Sequence, residues 1–334
     1  MDSITQVVLG AAVGEAVLGK KVGNKAMLWG GIAGTIPDLD VVFRYIYDPL
    51  TANELHRGFS HSILFSLVMA PVFGWLLVRL YKKEDASFKD WTKLMFWGLF
   101  THPVLDAFTT WGTQLFWPIS TKISFKNIFV IDPLYTVPFM VCLIWAMRLK
   151  KDNPKRAKIN RIGIYISSAY MALTLVLKAN AHFTFQTQLE KQNIAYESIQ
   201  TKPTPFNTIL WTVNVETEDA FLIGYSSLLD GDQPLEFVSF PKNHEVLGPL
   251  LHDEKVERIN RLTEGWFTVS QQEDYYVIND LRFGQVGISD TQGKFVFSYK
   301  FWVENGRSIV DLMPRPTGEI KESFKELWVR LKGI

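Results

Sequence analysis

Three short motifs in the first third of the chain carry side chains that an apolar sequence has little reason to hold. Pro37-Asp38-Leu39-Asp40 sets two carboxylates beside a proline. His56-Arg57-Gly58-Phe59-Ser60-His61-Ser62 sets two histidines around an arginine. Thr101-His102-Pro103-Val104-Leu105-Asp106 puts an imidazole and a carboxylate four residues apart. That spacing places His102 and Asp106 on one face of a helix, where both can grip a single ion. Carboxylates and histidines are costly at membrane depth, so their presence in apolar surroundings points to function. Taken together, Asp38, Asp40, His56, His61, His102 and Asp106 point to a metal site. Imidazole and carboxylate without thiolate suit zinc first, with manganese or iron as alternatives, and disfavour copper(I). The lone Cys142 lies in an apolar run and offers neither a disulfide nor a thiolate ligand. Arg57, between the two histidines, suits an anionic substrate group such as phosphate. Thr101 has the chemistry of a helix cap and Pro103 fits a first helical turn, so a new helix is expected to begin there.

The elements that must position these groups are read from charge and hydropathy. The chain has 334 residues, 47% hydrophobic and 21% charged, with a net charge of +1. That balance hides an asymmetry. Residues 1–180 hold 20 Lys+Arg against 12 Asp+Glu, and residues 181–334 hold 15 against 22. The long charge-free apolar runs lie in the first part. Residues 4–18 and 26–36 read as a helical hairpin that enters the bilayer. The runs 61–80, 94–111, 128–147 and 162–180 read as spans, being longer than the about 10–14 residues of an average globular helix. A set of buried core helices in a soluble protein is the competing reading. The loops around residues 19–25, 79–93 and 148–161 carry 15 Lys+Arg, and those at 44–60 and 112–127 carry four. The excess assigns the first group to the cytoplasm and residue 181 onward to the outside. Counting along straight helices, Asp38 and Asp106 each lie roughly 20 Å above the nearest cytoplasmic lysine, so the polar motifs converge in the outer half of the bilayer. Basic residues confined to short loops give no reason to expect nucleic-acid contact.

The acidic part reads as a small α+β, β-rich domain. Trp211, Val213 and Val215 alternate with polar residues, and Phe295, Phe297, Tyr299, Phe301 and Val303 do so more strongly, the period of a strand. Residues 266–269 and 275–278 suggest a hairpin. Asp253 is placed to cap a helix carrying Val256, Ile259 and Leu262. Ile320, Phe324, Leu327, Trp328 and Leu331 fall on one face of a closing amphipathic helix. Trp111 with Phe116 and Trp117 looks like an interfacial aromatic belt. The expected fold is therefore an α-helical multi-pass membrane domain over residues 1–180, followed by a small extracytoplasmic domain over 181–334.

These motifs, with the opening Met1-Asp2-Ser3-Ile4-Thr5 and the run Ala107 to Thr113, resemble the YdjM-type inner-membrane metal-dependent hydrolase family across about residues 1–180. The position after the first threonine is often His in that family and is Gln6 here. The resemblance implies a bacterial inner-membrane protein. Through a distant similarity to zinc phospholipases C, it also implies that His102 and Asp106 hold the metal. Asp38, Asp40, His56 and His61 are then further candidate ligands or water-orienting groups, with Asp38 or Asp40 the expected general base and Arg57 the holder of the anion. The expected activity is divalent-metal-dependent hydrolysis, most simply of a phosphoester in lipid or envelope material, by a metal-activated water. The expected partners are membrane lipids and a small or lipid-like substrate. Two rivals stand beside it: an intramembrane lipid-amide hydrolase, and a non-catalytic anchor whose outer domain binds a partner.

Overall fold

Small residues decide how the chain begins. In the computed structural model, which describes residues 1–231, 233–288, 294–314 and 320–333, helix α1 (Ser3–Val22) and helix α2 (Asn24–Ala33) form a hairpin. Asp2 caps α1 by accepting from the Ile4 and Thr5 amides. Gly10 and Gly14 of α1 face Gly30 and Gly34. A Cβ at Gly14 would sit 2.1 Å from the Ala26 carbonyl oxygen, and one at Gly30 would sit 2.2 Å from that of Gly10. The helices therefore touch backbone to backbone, as small residues permit in membrane helix pairs. A 3-10 helix, Pro37–Tyr45, follows α2 at a 42° bend.

Then come α3 (Pro49–Leu55), α4 (Ile63–Leu80), α5 (Phe88–Asp106), α6 (Pro133–Met147) and α7 (Pro154–Lys191). Helix α4 is built for lipid. Its buried stripe is Ser66, Ala70, Gly74 and Leu77, whereas Leu67, Val68, Val72, Trp75 and Leu76 face outward. Such inversion of the soluble pattern marks a membrane-facing surface. Among the described residues, α4 and α7 are long and apolar enough to cross a membrane, and the bent pair of α2 and the 3-10 helix would make a third. The expected runs 61–80 and 162–180 fall on α4 and α7. The runs 94–111 and 128–147 do not give such helices. Helix α5 takes in Lys89, Asp90 and Lys93 and stops at Asp106, and α6 starts only at Pro133 and has 15 residues.

No helix begins at Thr101. A capping box between Ser87 and Asp90 starts α5 far upstream, and the helix runs on through Pro103. The Thr101 hydroxyl is spent on the Trp97 carbonyl, 2.7 Å away, a back-bond inside a continuing helix.

The three basic loops meet. Lys21 Nζ lies 2.6 Å from Asp90 Oδ2, Lys25 pairs with Glu84, Lys151 Nζ donates to the Lys21 carbonyl, and Asn24 donates to that of Met147. Glu15, the carboxylate inside the first apolar stretch, is answered there too. Arg156 donates to it through Nε at 2.7 Å and Nη2 at 2.6 Å, with both side chains almost wholly buried.

The chain forms two units: Met1–Val42, Leu55–Val176 and Pro205–Asn207 in one, and Phe43–Glu54, Leu177–Thr204 and Thr208–Ile334 in the other. The segment Phe43–Glu54, which the sequence reading left with the membrane part, thus packs with the second unit. Its Leu50 is fully buried against Leu247, Val256, Ile259, Phe267 and Tyr299.

The second unit holds two four-stranded antiparallel meanders. One is β1 (Ser198–Pro203), β2 (Leu210–Glu216), β3 (Ala220–Ser227) and β4 (Phe237–Pro241). The other is β5 (Phe267–Gln271), β6 (Tyr276–Gln285), β7 (Phe295–Glu304) and β8 (Arg307–Leu312). The expected hairpin appears as β5 and β6, with Val269 opposite Ile278. Strand β2 departs from the half-buried expectation, being buried on both faces, because Thr212 and Asn214 are covered as well as Trp211 and Val213. The Asn214 side-chain amide donates to the Leu281 carbonyl at 2.8 Å. Asp253 caps α8 (Glu254–Thr263), and Val256, Ile259 and Leu262 are buried. In α9 (Ile320–Leu331) Phe324 and Trp328 are exposed, so that apolar face is not sunk in the core. The Ile320 side chain lies outside the described residues.

Two outcomes test this packing. Arg156→Ala should lower stability by about 3–5 kcal/mol, since it strands the buried Glu15 carboxylate, and replacing both partners with leucine or methionine should cost less. Melting of the detergent-solubilised protein reads the difference. In the second unit His244 donates to the Phe267 carbonyl at 2.8 Å, and burial pushes its pKa below the ordinary 6.5. A lowered folded-state pKa gives stability that is present above 6.5 and lost as pH falls. The decline of Tm from neutral to mildly acidic pH should therefore flatten in His244→Phe.

Candidate metal centre

Three elements bring four donor side chains together. The 3-10 helix supplies Asp38, the turn Phe59–His61 supplies His61, and the last turn of α5 supplies His102 and Asp106. The two imidazoles face each other, with His61 Nε2 3.1 Å from His102 Nε2. Each of these nitrogens lies 3.4 Å from Asp38 Oδ1 and 3.5 Å from Asp106 Oδ2. One donor atom from each of the four lies within 4.8 Å of all the others. A tetrahedral ion with bonds near 2.0–2.1 Å needs donor–donor edges of about 3.3–3.4 Å. The five distances bracket that value. His61, His102 and Asp106 are fully buried, and Asp38, at 28% exposure, is the one donor open to the outside.

The far side of each imidazole is held. His102 Nδ1 sits 2.6 Å from the Gly34 carbonyl, so Nδ1 carries the proton and Nε2 presents a lone pair to the group. His61 Nδ1 lies 3.2 Å from Asp40 Oδ2 and 3.0 Å from Ser60 Oγ. Asp40 is a buried knot. Its Oδ2 accepts from the Arg57 amide at 2.9 Å and from Ser60 Oγ at 3.0 Å, and its Oδ1 lies 2.9 Å from His56 Nδ1. Arg57 is held at φ +59°, in the left-handed region, with its amide turned onto that carboxylate.

Asp106 is the hub. Its Oδ1 accepts from the Met1 amine and from Gln6 Nε2 at 3.0 Å. Its Oδ2 is buried and accepts no hydrogen bond among the described residues. Arg57 Nε is 3.1 Å away but misaligned, while Nη1 donates to Thr109 at 2.9 Å. A buried carboxylate oxygen that accepts no hydrogen bond among the described residues and faces two imidazole nitrogens is what a divalent cation satisfies, so the residues fit a metal.

The sequence-derived residues are thus distributed unequally. Asp38, expected as a candidate ligand or general base, joins His61, His102 and Asp106 in the donor group. His56 stands outside the group, bonded to Asp40, with its ring 5.5 Å from that of Trp111. Asp40 orients His61 from behind, and Arg57 lines the group beside Asp106. The spacing argument did not find Gln6, the Met1 amine or Thr109. Only Gln6 carried a signal, as the departure from histidine, and its amide donates to the hub carboxylate instead.

A helical unit with outward-facing apolar helices and a buried group of two histidines and two aspartates defines an integral membrane protein with a candidate metal centre. Residues 1–182, more than half the chain, match the family described as YdjM inner membrane protein, and the chain belongs to that family. No curated protein and no solved structure matches it.

Metal analysis of purified protein tests the centre. His102→Ala and Asp106→Ala should lose most of the bound metal. Asp40→Asn should weaken binding by about 10–100-fold through His61, as partners of ligating histidines do. Equal metal content in all of them and wild type would remove the donor assignment.

Proposed function

We propose that the protein is a membrane-bound metal-dependent hydrolase acting on a phosphoester of lipid or envelope material. The observation that carries this reading is the donor group itself: four convergent ligand atoms, three of them buried, with Asp38 the one open to the outside. A divalent ion bound there, zinc by the chemistry of the donors, would lower the pKa of a water and polarise the scissile bond. His61, His102 and Asp106 hold the ion. Asp38, at the mouth, would be the donor that gives up its place to a water and then takes that water's proton. Asp40, fully engaged behind His61, keeps that imidazole in register and takes no proton from substrate. Arg57 adds a fixed positive charge beside Asp106 that favours an anionic phosphoryl group. Burial of the centre excludes bulk water, which strengthens each of these interactions.

The setting supports a lipid-like substrate. The basic loops gather at one end of the helical unit, and about 20 Å of α5 separates Asp90 at that end from His102 and Asp106. By the charge rule the basic end is cytoplasmic, the centre lies in the outer half of the bilayer, the chain crosses several times and the second unit is extracytoplasmic.

A phosphomonoester or phosphodiester lipid presented in mixed micelles should be hydrolysed only with divalent metal. Asp38→Asn and Arg57→Ala should each lower kcat/KM by about 100-fold or more, the scale of losing one general-base or charge-stabilising group. Cleavage of acylated amines with no phosphoester turnover would replace the phosphoester reading by the amide one. Reporter tags near residue 155 and at the C-terminus should label on opposite sides of the membrane.

A further inference from the structure

The two segments that supply Asp38 and His61 carry apolar side chains on their outer surface. Asp38, the donor open to the outside, lies on the 3-10 helix. Leu39 and Val42, three positions apart there, share one edge and are 65% and 48% exposed. His61 ends the short turn that Phe59 begins, and Phe59 is exposed as well. Asp40 ties the two segments together by accepting from the Arg57 amide and from Ser60 Oγ. The Phe59 ring stands 4.9 Å from that of Trp117, in a loop whose Phe116 and Ile119 also face outward. All of these residues belong to the first unit, with the donors. We propose that this surface docks acyl chains, and that the substrate is a lipid phosphoester whose chains stay on apolar surface while its phosphoryl group passes Asp38 to the centre. The proposal rests on the hydrolase reading and narrows its substrate class.

The loop between α5 and α6 is built to face lipid. Irregular backbone is tolerated against hydrocarbon only where its polar groups are answered. The Gln114 amide donates to the Arg57 carbonyl at 3.0 Å, and the Ile63 amide donates to that of Leu115 at 3.0 Å. Thr113 and Ile123 exchange amide–carbonyl bonds at 3.1 and 2.8 Å. The Trp117 and Ile119 amides turn back onto the Gln114 and Phe116 carbonyls at 3.0 and 3.1 Å, and Pro118 has no amide to answer. A loop facing water needs no such provision and has no reason to turn phenylalanine, tryptophan and isoleucine outward. Exposed apolar surface gathered at the mouth of a polar site marks a place where a lipid or a membrane is met.

The face runs on into the outer side of α4. Ser62 caps that helix by accepting from the Phe65 amide at 3.0 Å, and the Phe65 ring stands 5.4 Å from that of Phe59. Leu64, Leu67 and Val68 then extend the exposed apolar surface along the helix. Toward the centre the character changes. Lys122 Nζ stands 4.9 Å over the Trp111 ring, which is itself 5.5 Å from the His56 ring, and Arg57 lies beside Asp106. Cations set against aromatic rings at the edge of an apolar surface suit an anionic headgroup. Apolar outside and cationic within is the polarity of a phospholipid entering headgroup first.

The test uses full-length, zinc-loaded protein in mixed micelles. Dioleoyl phosphatidate, a monoester, and dioleoyl phosphatidylglycerol, a diester, are each compared with their deacylated forms. Whichever lipid is cleaved should show a kcat/KM about 100-fold or more above its deacylated form, since binding of the chains is used at the reacting centre. Leu39→Gln and Ile119→Gln, one on each segment, should each raise KM for the lipid about 10-fold with zinc content unchanged, because a chain then lies over an unpaired amide. Leu39→Met and Ile119→Leu should bring KM back toward wild type. Leu76→Gln, on the outer face of α4 about 20 Å farther along the helix, should leave KM unchanged. A second readout needs no turnover. Phosphatidate with a photoreactive acyl chain, sparse in phosphatidylcholine nanodiscs, should label residues 39–42, 59 and 116–119 of the metal-free protein above the outer face of α4. Equal kcat/KM with and without chains, glutamine variants with wild-type KM, or even labelling of both surfaces overturns this proposal and leaves the hydrolase reading standing. Zinc-loaded wild type that cleaves no phosphoester overturns the hydrolase reading, and this proposal falls with it.

Discussion

Two imidazoles and two carboxylates facing one another in a buried space have an electrostatic problem that shapes the whole first unit. Each carboxylate removed from water must be repaid by a cation or by aimed donors. Asp40 is repaid by a backbone amide, a hydroxyl and a histidine ring, and Asp106 Oδ1 by the Met1 amine and Gln6. Asp106 Oδ2 and the paired Nε2 atoms are left facing a common point. The surrounding backbone follows from that need. The Gly34 carbonyl has to reach His102, and Arg57 adopts a left-handed conformation so that its amide meets Asp40.

Parts of the helical unit reverse the usual rule. The buried side of α4 and the α1–α2 contact use glycine, alanine and serine, which let helices approach, and the outer face of α4 uses leucine, valine and tryptophan. In lipid, apolar surface gains nothing by hiding, so close packing and polar pairs must do the joining. The α1–α2 contact and the Glu15–Arg156 pair are the two devices used. The Glu15–Arg156 pair lies toward the basic end of the unit, and the α1–α2 contact extends to Gly34, whose carbonyl meets His102. The second unit obeys the ordinary rule, with its apolar side chains gathered in three buried clusters.

Much of the site was legible because its chemistry is local. The four-residue spacing of His102 and Asp106 needs only one helical turn, and the rarity of ionisable groups in apolar sequence marks the other two motifs. Less legible was which member of each motif points inward. Asp38 and Asp40 differ by two positions on a 3-10 helix, and His56 and His61 by one turn and a bend. Sequence spacing treats the members of each pair alike. Backbone conformation separates them, sending Asp38 and His61 to the donor group and leaving Asp40 and His56 bonded behind it. The expected helix start at Thr101 failed for a related reason. A threonine–proline pair reads the same at a helix start and inside a helix, and the Ser87–Asp90 cap had already claimed the register.

By itself the sequence determined the helical and β-rich parts, the family and the six polar residues that gather at the centre, because periodicity, hydropathy and residue type act over a few neighbouring positions. Tertiary structure alone decided that Phe43–Glu54 packs into the second unit's core and that Arg258 clamps Glu54, more than two hundred residues away in the chain. Long-range partners of this kind are chosen by shape and charge at contacts that form only when both elements are in place. A single salt-bridging arginine looks the same in sequence whether it is solvated or holds a distant loop.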